Sequence, residues 1–165
     1  MFRCHTTIRR ALAATGLCLA ALPAFAQSSA TFAVTATVLP SCTVVGGSTL
    51  AFGLVSPGVQ ADGAAVITAT CTVGTTYSLS LDAGTGSGAT VAERRMTSGA
   101  DTLSYRLYRD AGRTQLWGDG TNGTSAASST GTGLVQTFTV YGRVPSSASA
   151  SVGVYADTIT VTATY

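Results

Sequence analysis

The run Tyr155-Ala156-Asp157-Thr158-Ile159-Thr160-Val161-Thr162-Ala163-Thr164-Tyr165 alternates from Asp157 to its last residue. Thr158, Thr160, Thr162 and Thr164 share one face, and Ile159, Val161, Ala163 and Tyr165 share the other. Period-two alternation of β-branched residues marks a strand with one wet face and one buried face. A second run, Thr31-Phe32-Ala33-Val34-Thr35-Ala36-Thr37-Val38, does the same, with Phe32, Val34, Ala36 and Val38 together. Pro40 then separates this run from the rest of the chain.

Between these two runs the chain reads as β throughout. Strands are predicted at 42–45, 49–54, 64–72, 77–82, 103–108 and 134–144, broken by Gly-rich turns. Ile67, Ala69 and Cys71 fall on one face, as do Tyr77, Leu79 and Leu81, and Leu103, Tyr105 and Leu107; Leu134, Phe138 and Val140 are read as inward. Residues 84–100 and 118–133, rich in Gly, Ser and Thr, read as long surface loops. About seven short strands with turns between them imply a β-sandwich.

The terminal runs pose a physical problem. If 155–165 is the sixth strand of an immunoglobulin-like sandwich, the seventh is missing and one edge of the core stands open, a pairing template that proteins ordinarily suppress. The run at 31–38 lies beyond a proline hinge and could leave its own domain. One strand lacking and one spare points to exchange between copies. Periodicity alone does not separate this from 31–38 being the first strand of a closed sandwich.

Residues 1–26 read as a secretory signal. Arg3, Arg9 and Arg10 make the basic start, 11–22 is apolar, and Ala24-Phe25-Ala26 fits a small-x-small cleavage site. General secretion fits better than a twin-arginine route, since Ala-Leu follows Arg9-Arg10, and Cys18 lacks the residues of a lipoprotein site. The mature chain would run from Gln27, with a donor extension at 27–39 and a domain at 40–165.

Removing the signal removes His5, the only histidine, and Cys4 and Cys18; the chain has no lysine. Six arginines against seven acids then leave a net charge near −1, so a basic nucleic-acid footprint is absent. Nucleophile–histidine pairs, histidine-held metals and lysine Schiff bases are excluded by inventory. No cofactor is expected. No mature segment is long and apolar enough to span a bilayer as a helix. Export leads to an oxidising compartment, so Cys42 and Cys71 are expected to pair rather than stay as free buried thiols. The closed loop would contribute roughly 3–4 kcal/mol in the chain-entropy picture.

Ser41-Cys42-Thr43-Val44, Leu50-Ala51-Phe52-Gly53 and Cys71-Thr72-Val73 are followed by Tyr105-Arg106-Leu107-Tyr108-Arg109-Asp110, Trp117-Gly118 and Tyr141-Gly142-Arg143-Val144-Pro145. With the ending Gly153-Val154-Tyr155-Ala156-Asp157-Thr158, this ordered set of blocks resembles the spore coat protein U domain family, across nearly all of the mature chain. That family includes subunits of archaic chaperone–usher pili. The resemblance implies an incomplete immunoglobulin-like sandwich lacking its last strand, held in the periplasm by a chaperone and polymerised at an outer-membrane usher. The next subunit's N-terminal extension would supply the strand. Here Phe32, Val34, Ala36 and Val38 would insert, the receiving edge would be Ile159, Val161, Ala163 and Tyr165, and Cys42–Cys71 would be the family's disulfide. The implied partners are identical or homologous subunits, the chaperone and the usher. The implied destination is the cell surface, with a role in adhesion and biofilm formation.

Other readings compete with this one. A coat or extracellular-matrix protein could use the same fold without an usher, and a secreted carbohydrate-binding module could use Tyr105, Tyr108 and Trp117 as a sugar platform, although their alternation favours core positions. Asp82, Asp110, Asp119 and Asp157 are too scattered to suggest a glycosidase pair. Asp110 and Asp119 are read as turn-makers or partners of Arg109 and Arg113. Residues 119–123 lack the further acids of a calcium loop, and no helix follows the glycines of 84–88 to cradle phosphate.

Overall fold

The structure, a computed structural model, describes residues 26–146, 148 and 150–165. The secretory signal expected at 1–26 lies, except for Ala26, outside the described residues. The chain divides into two units between Ala36 and Thr37. In the first unit the described residues 26–36 form no strand, and Phe32, Val34 and Ala36 are exposed.

The second unit is all β, with two sheets. Its strands are β1 (Cys42–Val45), β2 (Ala61–Cys71), β3 (Thr76–Leu81), β4 (Arg94–Ser98), β5 (Asp101–Tyr108), β6 (Ala127–Thr130), β7 (Gln136–Val144) and β8 (Val161–Thr164). One sheet has the order β1-β2-β7-β5-β4, the other β6-β3-β8, and every pairing is antiparallel. This is an immunoglobulin-like sandwich whose inner faces follow the alternation of the sequence. Ile67, Ala69 and Cys71 of β2 meet Leu79 and Leu81 of β3, Leu103, Tyr105 and Leu107 of β5, and Val140 and Val144 of β7 in one core. Trp117, from the β5–β6 connection, is 1% exposed and donates its indole N–H to the Leu79 carbonyl at 2.9 Å. Burying that ring without a partner for its N–H would be costly, so the bond fixes its orientation. Cys42 and Cys71 face each other in the β1–β2 register and are joined by a disulfide.

Four expectations need correction. The two predicted long loops each carry a strand, β4 and β6. β4 escapes a reading by pattern because its one buried residue is Arg94 rather than an apolar side chain, and β6 because Ala127 is its one buried residue. Residues 49–54 form no strand; they lie as an irregular strip after β1. The run 155–165 is not one strand: Ala156 bridges Thr97 of β4, and only Val161–Thr164 joins β3. Leu134 precedes β7 and is 72% exposed, so it is no core residue.

Candidate functional site

Antiparallel sheets leave unpaired backbone groups at their edges unless another strand covers them. Among the described residues, β1 pairs only with β2, and β8 only with β3. These two edges belong to different sheets and approach each other without bonding. Beside them the sandwich opens into a cleft. Its floor is core: Ile67 of β2, Leu81 of β3, Tyr105 and Leu107 of β5, and Val140 of β7. One chamber there has a volume of about 430 Å³. A second, of about 650 Å³, adjoins it beyond Met96 and Leu103 and shares the side chains of Leu50, Phe52 and Tyr155. The arrangement offers apolar floor space beside unpaired strand edges, which is what a further strand would need.

The wall that leads into β8 is bonded in place. Thr97 and Ala156 exchange both backbone hydrogen bonds, at 2.9 and 3.1 Å. Asp157 then turns the chain away from β4. Its Oδ1 accepts from the Thr85 N–H and hydroxyl and from the Thr158 N–H, and its Oδ2 accepts from the Tyr105 hydroxyl at 2.7 Å. Burial, followed by the bond to the Asp157 carboxylate, pushes the Tyr105 phenol well above its ordinary range, so it stays a donor. Asp82 completes the fastening: its Oδ1 accepts from the Thr160 N–H, while its own N–H donates to the Thr160 carbonyl. The strand therefore starts on one sheet and finishes on the other.

The opposite wall, residues 46–57, is held differently. Among the described residues no backbone hydrogen bond ties 46–55 to either sheet. Leu50 and Phe52 instead pack inward on the core, with the Phe52 ring edge-on to Tyr105 at 5.8 Å between centroids. Leu54, Val152 and Val154 stand exposed around the second chamber.

Of the residues singled out in the sequence, Ile159, Val161 and Ala163 are half-buried against the core along the β8 wall, whereas Tyr165 is 58% exposed. Phe32, Val34, Ala36 and Val38 are all exposed. Tyr105, Tyr108 and Trp117 are buried at 4%, 7% and 1% exposure, which leaves no sugar platform on them. Asp110 and Asp119 make turns: Asp110 accepts from the N–H groups of Thr114 and Gln115, and Asp119 from the N–H and hydroxyl of Thr121. Neither pairs with Arg109 or Arg113, and Arg113 approaches Asp62 instead. No cluster of three metal-ligating side chains occurs among the described residues. Sequence reasoning misses Leu50, Phe52, Met96 and Tyr155 as cleft residues. The inward alternation of Leu50 and Phe52 is visible in the sequence, but it has the look of a strand's.

The family model of the Spore Coat Protein U domain matches residues 28–162. The chain belongs to the Spore Coat Protein U domain family. Within that family's reach, Protein U of Myxococcus xanthus is 38% identical over 133 residues, covering 73% of each chain. Among solved structures, a chain of the CsuC–CsuE chaperone–tip adhesion subunit pre-assembly complex, from the archaic chaperone–usher Csu pili of Acinetobacter baumannii, superposes with a TM-score of 0.56 at 24% identity. That match covers 78% of this chain and 41% of the other, so this member of the family spans about two-fifths of its structural neighbour. At that identity the likeness speaks for the fold.

Proposed function

We propose that this Spore Coat Protein U domain chain is a non-enzymatic structural subunit of a surface fibre of the chaperone–usher type, assembled by donor-strand exchange. The observation that carries the reading is the apolar cleft flanked by the unpaired edges of β1 and β8. Its occupant is the N-terminal extension, residues 27–39, of another copy or a homologous subunit. Phe32, Val34, Ala36 and Val38 enter the cleft while the backbone adds a ladder beside Ile159, Val161, Ala163 and Tyr165. Strand addition of this kind draws affinity from main-chain hydrogen bonds and specificity from alternate side chains. Burying Phe32 and three smaller side chains contributes on the order of 5–8 kcal/mol before ordering costs. Before assembly a periplasmic chaperone fills the cleft, and an outer-membrane usher is the site of exchange. Residues 1–26 direct export and are removed. The fibre then serves adhesion and biofilm formation at the cell surface.

Polymer formation tests this. The purified mature chain is expected to give a ladder of multimers on a denaturing gel run without heating. Phe32→Asp should reduce it to monomer, because a charge cannot enter the apolar cleft unpaired. A Phe32→Asp ladder equal to the unsubstituted one would remove the proposal. The family's name, which speaks of a spore coat, favours a second reading, a coat protein, and such a protein could assemble without an usher. Ladder formation in a host lacking any usher would support that one.

A further inference from the structure

The two walls of the cleft are built unequally, and the weaker one rests on a pair of glycines. Gly63 of β2 and Gly142 of β7 are direct partners in the register of the larger sheet, and Leu50 lies over both of them. Neither has a positive φ, so backbone conformation does not demand glycine at either place. Space does. A Cβ on Gly142 would lie 2.8 Å from Leu50 Cδ2 and from Phe52 Cζ, and 2.9 Å from Phe52 Cε1. A Cβ on Gly63 would lie 2.7 Å from the Ala51 carbonyl oxygen and 3.0 Å from Leu50 Cδ2. All of these are well inside ordinary carbon contact distances. Two missing side chains on adjacent strands thus make a notch, and Leu50 and Phe52 fill it.

Both of those side chains line both chambers, and no backbone bond holds their segment to the sheets among the described residues. The depth to which they sink in the notch therefore sets how much of the cleft stays open. We infer that the Gly63–Gly142 pair is a positioning element for strand binding: it seats Leu50 and Phe52 low enough for the extension of a second copy to lie across them. The inference rests on the fibre reading above and adds to it the feature that sets the cleft's depth. Gly142 is the better probe of the two, since its close neighbours are all side-chain tips, whereas Gly63 also faces a carbonyl.

The test is a cycle of variants in the full mature chain. Its readout is the binding of a fluorescent peptide of residues 28–38, followed by anisotropy. Gly142→Ala is expected to weaken binding about tenfold or more, by lifting Leu50 and Phe52 into the cleft. In a background where the wall is trimmed, Leu50→Ala with Phe52→Leu, the atoms in the way are gone. The same Gly142→Ala change should there cost less than about twofold, because the coupling has been removed. A merely structural glycine would cost the same in both backgrounds. That result, or no loss in the native background, would overturn the inference while leaving the fibre reading intact. Failure of the unsubstituted chain to bind the peptide at all would instead overturn the fibre reading, and this inference with it.

Discussion

Arg94 has no exposed surface, and no carboxylate lies within ion-pair distance of it among the described residues. Its Nε donates to the Asp82 carbonyl at 2.8 Å, and its Nη2 donates to the carbonyls of Trp117 and Leu81 at 2.9 and 3.3 Å. Burial is the main force lowering its pKa, opposed by the nearby Tyr105 and acidic groups, but a guanidinium remains charged. The side chain serves as a rivet between three backbone oxygens at the end of β3 and the Trp117 turn. Arg94→Met keeps the bulk and strips the donors, so it should cost about 2–4 kcal/mol in urea unfolding followed by Trp117 fluorescence. Asp62 makes a different kind of contact. Both its oxygens accept from Arg143, at 2.8 and 2.9 Å, and that bond holds the carboxyl below its ordinary 3.8. A depressed carboxylate adds stability above its unfolded value and loses it as pH falls through the folded one. The thermal midpoint of Asp62→Asn should therefore lie slightly below that of the unsubstituted chain near neutrality. The gap, about 1 kcal/mol or less for a partly exposed pair, should close as pH falls through the carboxyl's lowered folded value, below the ordinary 3.8.

At the scale of elements, the disulfide and the sheet switch decide how β1 and β8 are presented. Replacing Cys42 and Cys71 by serine should cost roughly 3–4 kcal/mol and free β1 first, because β1 has only β2 to pair with. Hydrogen exchange at Thr43 and Val45 would report it. Asp157→Ala removes the acceptor for Thr85, Thr158 and Tyr105 together, and should cost about 2–3 kcal/mol with faster exchange at Thr158 and Thr160. The long strands β2, β3, β5 and β7 are legible in the sequence because each sets buried residues every second position, a pattern that needs no knowledge of the partner. β4 is not legible, since a buried arginine that donates through Nε and Nη2 to distant carbonyls looks in sequence like a solvated charge. The break at Asp157 is hidden for a similar reason: the threonine alternation starts directly after it, and only a hydrogen-bond partner 72 residues away reveals the turn. The wall at 46–57 resembles a strand in sequence because Leu50 and Phe52 alternate inward, yet they are held by a notch of glycines rather than by a ladder.

At the scale of the whole molecule, the central claim is that the sandwich is one strand short and that residues 27–39 carry the kind of strand it lacks. The all-β fold and the disulfide are within reach of the sequence; the cleft's own walls are not, because they are assembled from segments about a hundred residues apart. Removing an inserted strand would expose a core edge, so a completed domain should resist unfolding chiefly through a slow unfolding rate. The most direct measurement is thermal unfolding of two forms of the mature chain, one lacking residues 27–39 and one carrying that segment at the C-terminus through a flexible linker. The truncated form is expected to melt early, and the relocated strand to give a monomer with a cooperative transition at much higher temperature. A truncated form already as stable as the relocated one would mean that the sandwich needs no further strand, and the claim would be wrong.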